Sequence, residues 1–195
     1  MVISPTRISE FDVVVKDSIN KALREAVELL YSLGHRRIAY IGEPLVEEKR
    51  NMLSSELYRI GIEDCDGLLY SSILRFEAAG VDGVEKLFSE KEKAPTAVIG
   101  AYGYITQGII SALKDMGYSL PQDVSVISMD NVPAPLSFDI DVAHISYDME
   151  CACAEALSLL KARMGKDAPK TAQITEICAT FYRGESISAI SHGAL

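Results

Sequence analysis

The sequence predicts an α/β fold built on a parallel, doubly wound, flavodoxin-like sheet. Two observations carry this. Short apolar runs such as Ala97-Val98-Ile99-Gly100 and Val124 to Met129 alternate with segments whose apolar residues recur at helical spacing. Glycine, proline and aspartate stand at the junctions between them. Strands separated by helices pair in parallel, because parallel neighbours need a long crossover, and a helix on each face buries the sheet.

The elements follow in order. Phe11 to Lys16 reads as extended, and Asp17 or Ser18 can cap a helix whose Leu23, Ala26, Val27, Leu30 and Leu33 share one face before Gly34 stops it. Arg37 to Gly42 is a strand. A polar helix from about Glu47 to Ile60 ends at Gly61, Gly67 to Ser71 is the next strand, and a third helix runs from about Phe76 to Phe88. After the strand Ala97 to Gly100, a helix from Tyr104 to Met116 places Ile105, Ile109, Ala112, Leu113 and Met116 on one face, closed by Gly117. The strand Val124 to Met129 runs into Asp130-Asn131 and a loop holding Pro133 and Pro135. A short strand near Val142 to Ser146, a helix from about Asp148 to Met164 and one long strand from Gln173 to Tyr182 complete the pattern.

The chain has 195 residues, 48% of them hydrophobic and 24% charged, enough to bury a core. Its formal net charge of -9 repels a phosphate backbone, so direct nucleic-acid binding is not expected. Met1 to Arg7 shows no signal-like apolar run, and no later stretch is long and apolar enough to span a bilayer. A cytoplasmic protein with no membrane partner is the expectation. Cys65, Cys151, Cys153 and Cys178 lack CxxC spacing and histidine partners, which points to reduced structural thiols and no metal. No nucleophile elbow, phosphate loop or dinucleotide fingerprint is present, so neither an enzyme nor a cofactor is expected.

Several phrases stand in a telling order: Leu33-Gly34-His35-Arg36-Arg37-Ile38-Ala39-Tyr40-Ile41-Gly42, then Pro95-Thr96-Ala97-Val98, then Gly108 with Ala112-Leu113. Gly117 follows, then Leu120-Pro121-Gln122-Asp123-Val124-Ser125-Val126-Ile127, ending in Ser128-Met129-Asp130. This series resembles the lactose/galactose-repressor family of transcription regulators from about Val13 to Ser186. The resemblance implies a periplasmic-binding-protein-like type I fold, in which two α/β lobes joined by three crossovers close on a small effector. By that comparison residues 13–140 plus 170–187 form the C-terminal lobe, 146–165 a segment of the N-terminal lobe, and 1–12 and 188–195 tails. It further implies a small-molecule effector, sugar or related, a homodimer, and operator DNA bound only through a headpiece outside this chain. The alternative is a solute-binding protein of a sugar transporter with the same fold.

In doubly wound sheets ligands bind outside the carboxyl ends of the strands, which here are Gly42 to Arg50, Ser71 to Phe76, Ala101 to Tyr104 and Asp130-Asn131. Asp130 ends an apolar strand and either accepts hydrogen bonds from ligand hydroxyls or caps the following turn; it falls on the family's ligand-facing aspartate. Arg50 resembles the arginine that grips the effector, with Lys49 the other choice. Tyr102-Gly103 replaces the family's Asn-Asp, so Tyr102 either stacks on a ligand ring or closes the vacated pocket. Phe76 and Asn131 complete the candidates. His35 reads as a structural residue at the opposite edge of the sheet. On the helix from Asp148, the apolar residues Ala152, Ala156, Leu157, Leu160 and Met164 lack the cover a whole N-terminal lobe supplies, which predicts self-association.

Overall fold

The computed structural model describes residues 2–4, 12–16, 19–63, 65–130, 140–165 and 169–190. Its strands are β1 (Val2–Ser4), β2 (Val13–Lys16), β3 (Ile38–Gly42), β4 (Leu69–Ser71), β5 (Ala97–Gly100), β6 (Ser125–Ser128), β7 (Ala143–Tyr147), β8 (Ile174–Ile177) and β9 (Ala179–Tyr182). The helices are α1 (Asn20–Ser32), α2 (Glu47–Arg59), α3 (Phe76–Leu87), α4 (Gly103–Asp115) and α5 (Met149–Met164). The chain divides into two units, Leu23–Ile145 with Phe181–Leu195, and Met1–Ala22 with Ser146–Thr180.

In the larger unit the sheet order is β4-β3-β5-β6-β7-β9. Pairing from β4 through β7 is parallel, with Ile38 opposite Ala97, Ala97 opposite Ser125 and Ile127 opposite Ala143. Every residue of β3, β5 and β6 is buried, as continuous apolar runs require when helices cover both faces. The doubly wound parallel architecture is therefore observed. From β3 the chain steps outward to β4, then returns across β3 to β5 and onward to β6. Right-handed crossovers then place α2 on one face and α3 with α4 on the other. On the first face Arg24 and Glu28 of α1 meet Glu56 and Arg59 of α2. On the second, α3 and α4 touch backbone to backbone. A Cβ at Gly108 would come within 2.0 Å of the Glu77 carbonyl oxygen, and one at Gly80 within 2.2 Å of that of Ile105. Only glycine permits this approach.

The smaller unit is a three-stranded parallel sheet, β1-β2-β8, with Val13 opposite Ile174. Ala152 and Ala156 of α5 pack on Val14 and Ile177, with Tyr147 and Leu159 at the margin. Asp148 caps the helix by accepting from the Cys151 N–H at 2.9 Å. At the far end Arg163 grips the Asp12 carboxylate through Nε at 2.5 Å and Nη2 at 2.6 Å, and the Gln173 N–H adds a third bond at 2.8 Å. Those donors hold the Asp12 carboxyl down to about 2.

Three local readings change. Gln173 to Tyr182 is two strands, β8 and β9, parted at Cys178 and belonging to different sheets. Both halves are extended, so nothing in local patterning marks the change of partner. For the same reason the smaller unit is wider than residues 146–165. It also takes in β1, β2 and β8, which pair only with one another among the described residues. Gly67 to Ser71 begins as a 3-10 turn, Asp66–Leu68, before β4. The proposed caps Asp17 and Ser18 lie outside the described residues.

Candidate functional site

The strand order reverses between β3 and β5, and the crevice outside their carboxyl ends is the topological switch point where ligands of open α/β sheets sit. Glu43 follows β3 directly, and Ala101-Tyr102 follows β5. The Glu43 side chain is only 3% exposed, and its single ion pair among the described residues is with Arg75 Nε at a long 3.4 Å. Beside it the Tyr102 hydroxyl is buried and reaches the Glu43 carboxylate, though not in the geometry of an ordinary hydrogen bond. Burial, then the neighbouring Glu43 carboxylate, pushes the Tyr102 phenol up.

Phe76 opens α3 with a φ of 56°, a left-handed conformation that a bulky side chain adopts only under constraint. That backbone sets its ring edge-on to Tyr102, at 6.5 Å between centroids, and to Tyr104, at 5.9 Å. The Arg75 guanidinium lies 4.8 Å from the centre of the same ring. Glu43, Pro44, Leu45, Ile73, Leu74 and Arg75 line a groove of about 210 Å³ at this end of the sheet.

The structure distinguishes the two basic residues of α2. Lys49 Nζ donates to the Ala101 carbonyl at 2.8 Å and the Met129 carbonyl at 3.3 Å, so it reaches across the ends of β5 and β6. Arg50 turns toward β4, where it donates to the Leu69 carbonyl at 3.0 Å and pairs with Glu47 at 2.9 Å. Ser71 completes that corner by donating to Glu47 at 3.0 Å. Asp130 stands exposed just past β6, its N–H donating to Ser128 Oγ at 3.4 Å. Asn131 lies outside the described residues. Phe76 and Tyr102 thus come together, Arg50 belongs to the β4 corner, and Asp130 follows the strand whose end Lys49 reaches. Sequence reading did not single out Glu43 or Arg75. The signal for Glu43 was present: like Asp130, it is a carboxylate just past a short, largely apolar strand.

Among the described residues no group of histidine, cysteine and carboxylate side chains could hold a metal ion, and no helix is long and apolar enough to cross a membrane.

Residues 27–187 match the periplasmic binding protein-like domain family. The chain is 27% identical over 152 residues to catabolite control protein A of Priestia megaterium, covering 75% of this chain and 45% of that protein. It is 30% identical over 132 residues to the transcriptional repressor PurR of Edwardsiella ictaluri (65% and 38%), and 30% identical over 127 residues to the repressor CytR of Escherichia coli (63% and 36%). The chain spans less than half the length of these regulators. In fold it is similar to a LacI transcriptional regulator from a Rhodococcus species, with a TM-score of 0.76, 22% identity, and coverage of 98% of this chain and 70% of that one. It is also similar to a LacI family regulator from Enterococcus faecium solved with bound ribose, with a TM-score of 0.74, 21% identity, and coverage of 97% and 71%. The relatives are transcription regulators rather than enzymes or transport proteins. This chain therefore belongs to the periplasmic binding protein-like domain family, in the form that LacI-type transcription regulators use to bind their effectors.

Proposed function

We propose that this chain is the effector-sensing region of a LacI-type transcription regulator. The larger unit is the C-terminal lobe and the smaller unit part of the N-terminal lobe. A small organic effector binds at the carboxyl ends of the larger sheet, and its binding alters the affinity of a separate DNA-binding segment for operator, a coupling between two sites. The observation that carries this reading is the meeting of Glu43, Tyr102 and Phe76 at one end of the sheet, at its switch point, beside the ends of β5 and β6 that Lys49 reaches and that Asp130 follows. The chain's formal net charge of -9 disfavours direct contact of this region with DNA.

Calorimetry of the chain against sugars, nucleosides and small amines tests the reading. A binder should weaken by about tenfold or more when Asp130→Ala or Lys49→Ala removes a charged contact. In the full-length regulator the same compound should shift operator affinity measured by fluorescence anisotropy. A binder indifferent to both substitutions, or one without effect on operator affinity, contradicts it.

The same reading includes a homodimer. Besides its buried alanines, α5 carries a second apolar stripe of Met149, Cys153, Leu157, Leu160 and Met164, all exposed and four, four, three and four residues apart. Ala152 and Ala156 find their cover inside the smaller unit, so the expectation of an uncovered helix narrows to this stripe. Sedimentation equilibrium should report a dimer that Leu157→Glu with Leu160→Glu converts to monomer. A wild-type monomer at tens of micromolar, where an interface of ordinary size associates, contradicts the dimer.

A further inference from the structure

We propose that the groove between the ends of β3 and β4 takes a small organic cation, an ammonium, amidinium or guanidinium group on a compact apolar body, with Glu43 as its counter-ion. This rests on the effector reading above and names its ligand class.

A buried carboxylate needs strong, close donors, because an uncompensated charge away from water is costly. Among the described residues Glu43 has one ion-pair partner, and it is a poor one: Arg75 approaches through Nε alone at 3.4 Å, from a side chain 56% exposed, and the other polar neighbour of the carboxylate is the uncharged Tyr102 hydroxyl. A guanidinium built to hold a buried carboxylate often does so through two short parallel bonds, as Arg163 holds Asp12. Arg75 instead rests its charge near the Glu43 carboxylate and over the Phe76 ring. These are the two contacts by which an incoming cation would be recognised, a counter-ion and an aromatic face. Arg75 is therefore an internal stand-in for the ligand's charge, held loosely enough to be displaced.

The walls agree. Pro44, Leu45, Ile73 and Leu74 line the groove, and Ile73 and Leu45 are 90% and 72% exposed, large apolar side chains that a ligand body would cover. At about 210 Å³ the groove is smaller than the roughly 300–1,000 Å³ of drug-sized pockets, so the body is compact. A sugar asks for several convergent donors and acceptors around its ring. Here four of the six lining side chains are apolar, and the one buried charge is negative. An anion would have to displace Glu43 from Arg75 and leave that carboxylate buried alone.

Calorimetry of the chain with benzamidine, benzylamine, benzyl alcohol, ribose and inorganic phosphate tests this. Benzamidine and benzylamine should bind at least about tenfold more tightly than benzyl alcohol, their uncharged counterpart, the margin of a charge-assisted hydrogen bond. Glu43→Gln should abolish that margin while circular dichroism shows the fold retained. Arg75→Ala removes the internal competitor and should tighten the amines about two- to fivefold, the worth of an exposed ion pair. Benzyl alcohol matching the amines, Glu43→Gln without effect, Arg75→Ala weakening the amines, phosphate binding that depends on Arg75, or no binding by any amine each overturns the proposal. Ribose binding lost on Asp130→Ala, with the amines silent, overturns it and leaves the effector reading standing. Amine binding that leaves the full-length regulator's operator affinity unchanged overturns the effector reading and leaves the groove assigned.

Discussion

The two ends of the larger sheet use polar side chains differently. At the amino ends of the strands His35 precedes β3, Thr96 precedes β5 and Ser125 opens β6. His35 Nδ1 lies 2.9 Å from Thr96 Oγ1 and Nε2 lies 2.9 Å from the Ser188 carbonyl. That carbonyl can only accept, so Nε2 carries the hydrogen and Nδ1 accepts from the threonine. Ser125 Oγ accepts from the Ser188 N–H at 3.1 Å. Ser186 Oγ donates to the Val126 carbonyl at 2.6 Å and accepts from the Ala143 N–H at 2.8 Å. Donors and acceptors close on one another, and the closure ties residues 186–188 along the sheet. At the carboxyl ends the Glu43 pair is long, the Tyr102 hydroxyl has no bond of ordinary geometry, and large apolar side chains stand in water. Polar groups that finish their bonds within the chain serve the fold; those left short of partners at a switch point are available to a ligand.

The largest effect belongs to the closed end. His35→Ala should cost roughly 2–3 kcal/mol in urea denaturation, because it removes a buried ring together with its bonds to Thr96 and Ser188 and leaves a cavity in their place. The loss should also carry a pH signature. Burial above all holds the His35 imidazole below its ordinary value of 6.5. Above that value both the folded and unfolded chains are neutral at this position. Below it the unfolded chain takes up a proton that the folded chain refuses, so stability falls as pH drops from 6.5 toward the lowered folded value. His35→Ala should flatten that part of the profile, and a wild-type profile with the same slope as the variant contradicts the assignment.

At the open end the smallest effect is expected from Tyr102→Phe. It removes a buried hydroxyl without a well-formed bond and should leave stability unchanged or raise it by about 0.5–1 kcal/mol. A loss greater than about 1.5 kcal/mol, the upper worth of an ordinary hydrogen bond, would mean the hydroxyl is satisfied within the chain.

The same contrast explains what was legible in the sequence. Ala97 to Gly100 reads correctly at both boundaries because a short apolar run that begins just after Pro95 and ends at Gly100 is too short for a helix and is best buried as a strand. Lys49 and Arg50 are adjacent charged residues on one helix, and only the direction of each side chain separates a residue reaching the ends of β5 and β6 from one bound to β4. The parting of β8 from β9 is invisible for a related reason: pairing partners are set by the rest of the fold, not by the extended segment itself. Glu43 was the legible residue passed over. Its place after an apolar strand carries the same meaning as that of Asp130, but the phrase resembling the repressor family ends at Gly42, one residue earlier.

The measurement that tests the account most directly is urea denaturation of Glu43→Gln beside His35→Ala at neutral pH, followed by circular dichroism. If the carboxyl ends of the strands hold their polar groups for a ligand, replacing the buried, weakly paired carboxylate by an amide should leave stability unchanged or raise it by about 1 kcal/mol, the usual trade of function against stability. His35→Ala should lose about 2–3 kcal/mol over the same sheet. A Glu43→Gln loss as large as that of His35→Ala would contradict the account, because Glu43 would then be a structural group and the two ends of the sheet would not differ in purpose.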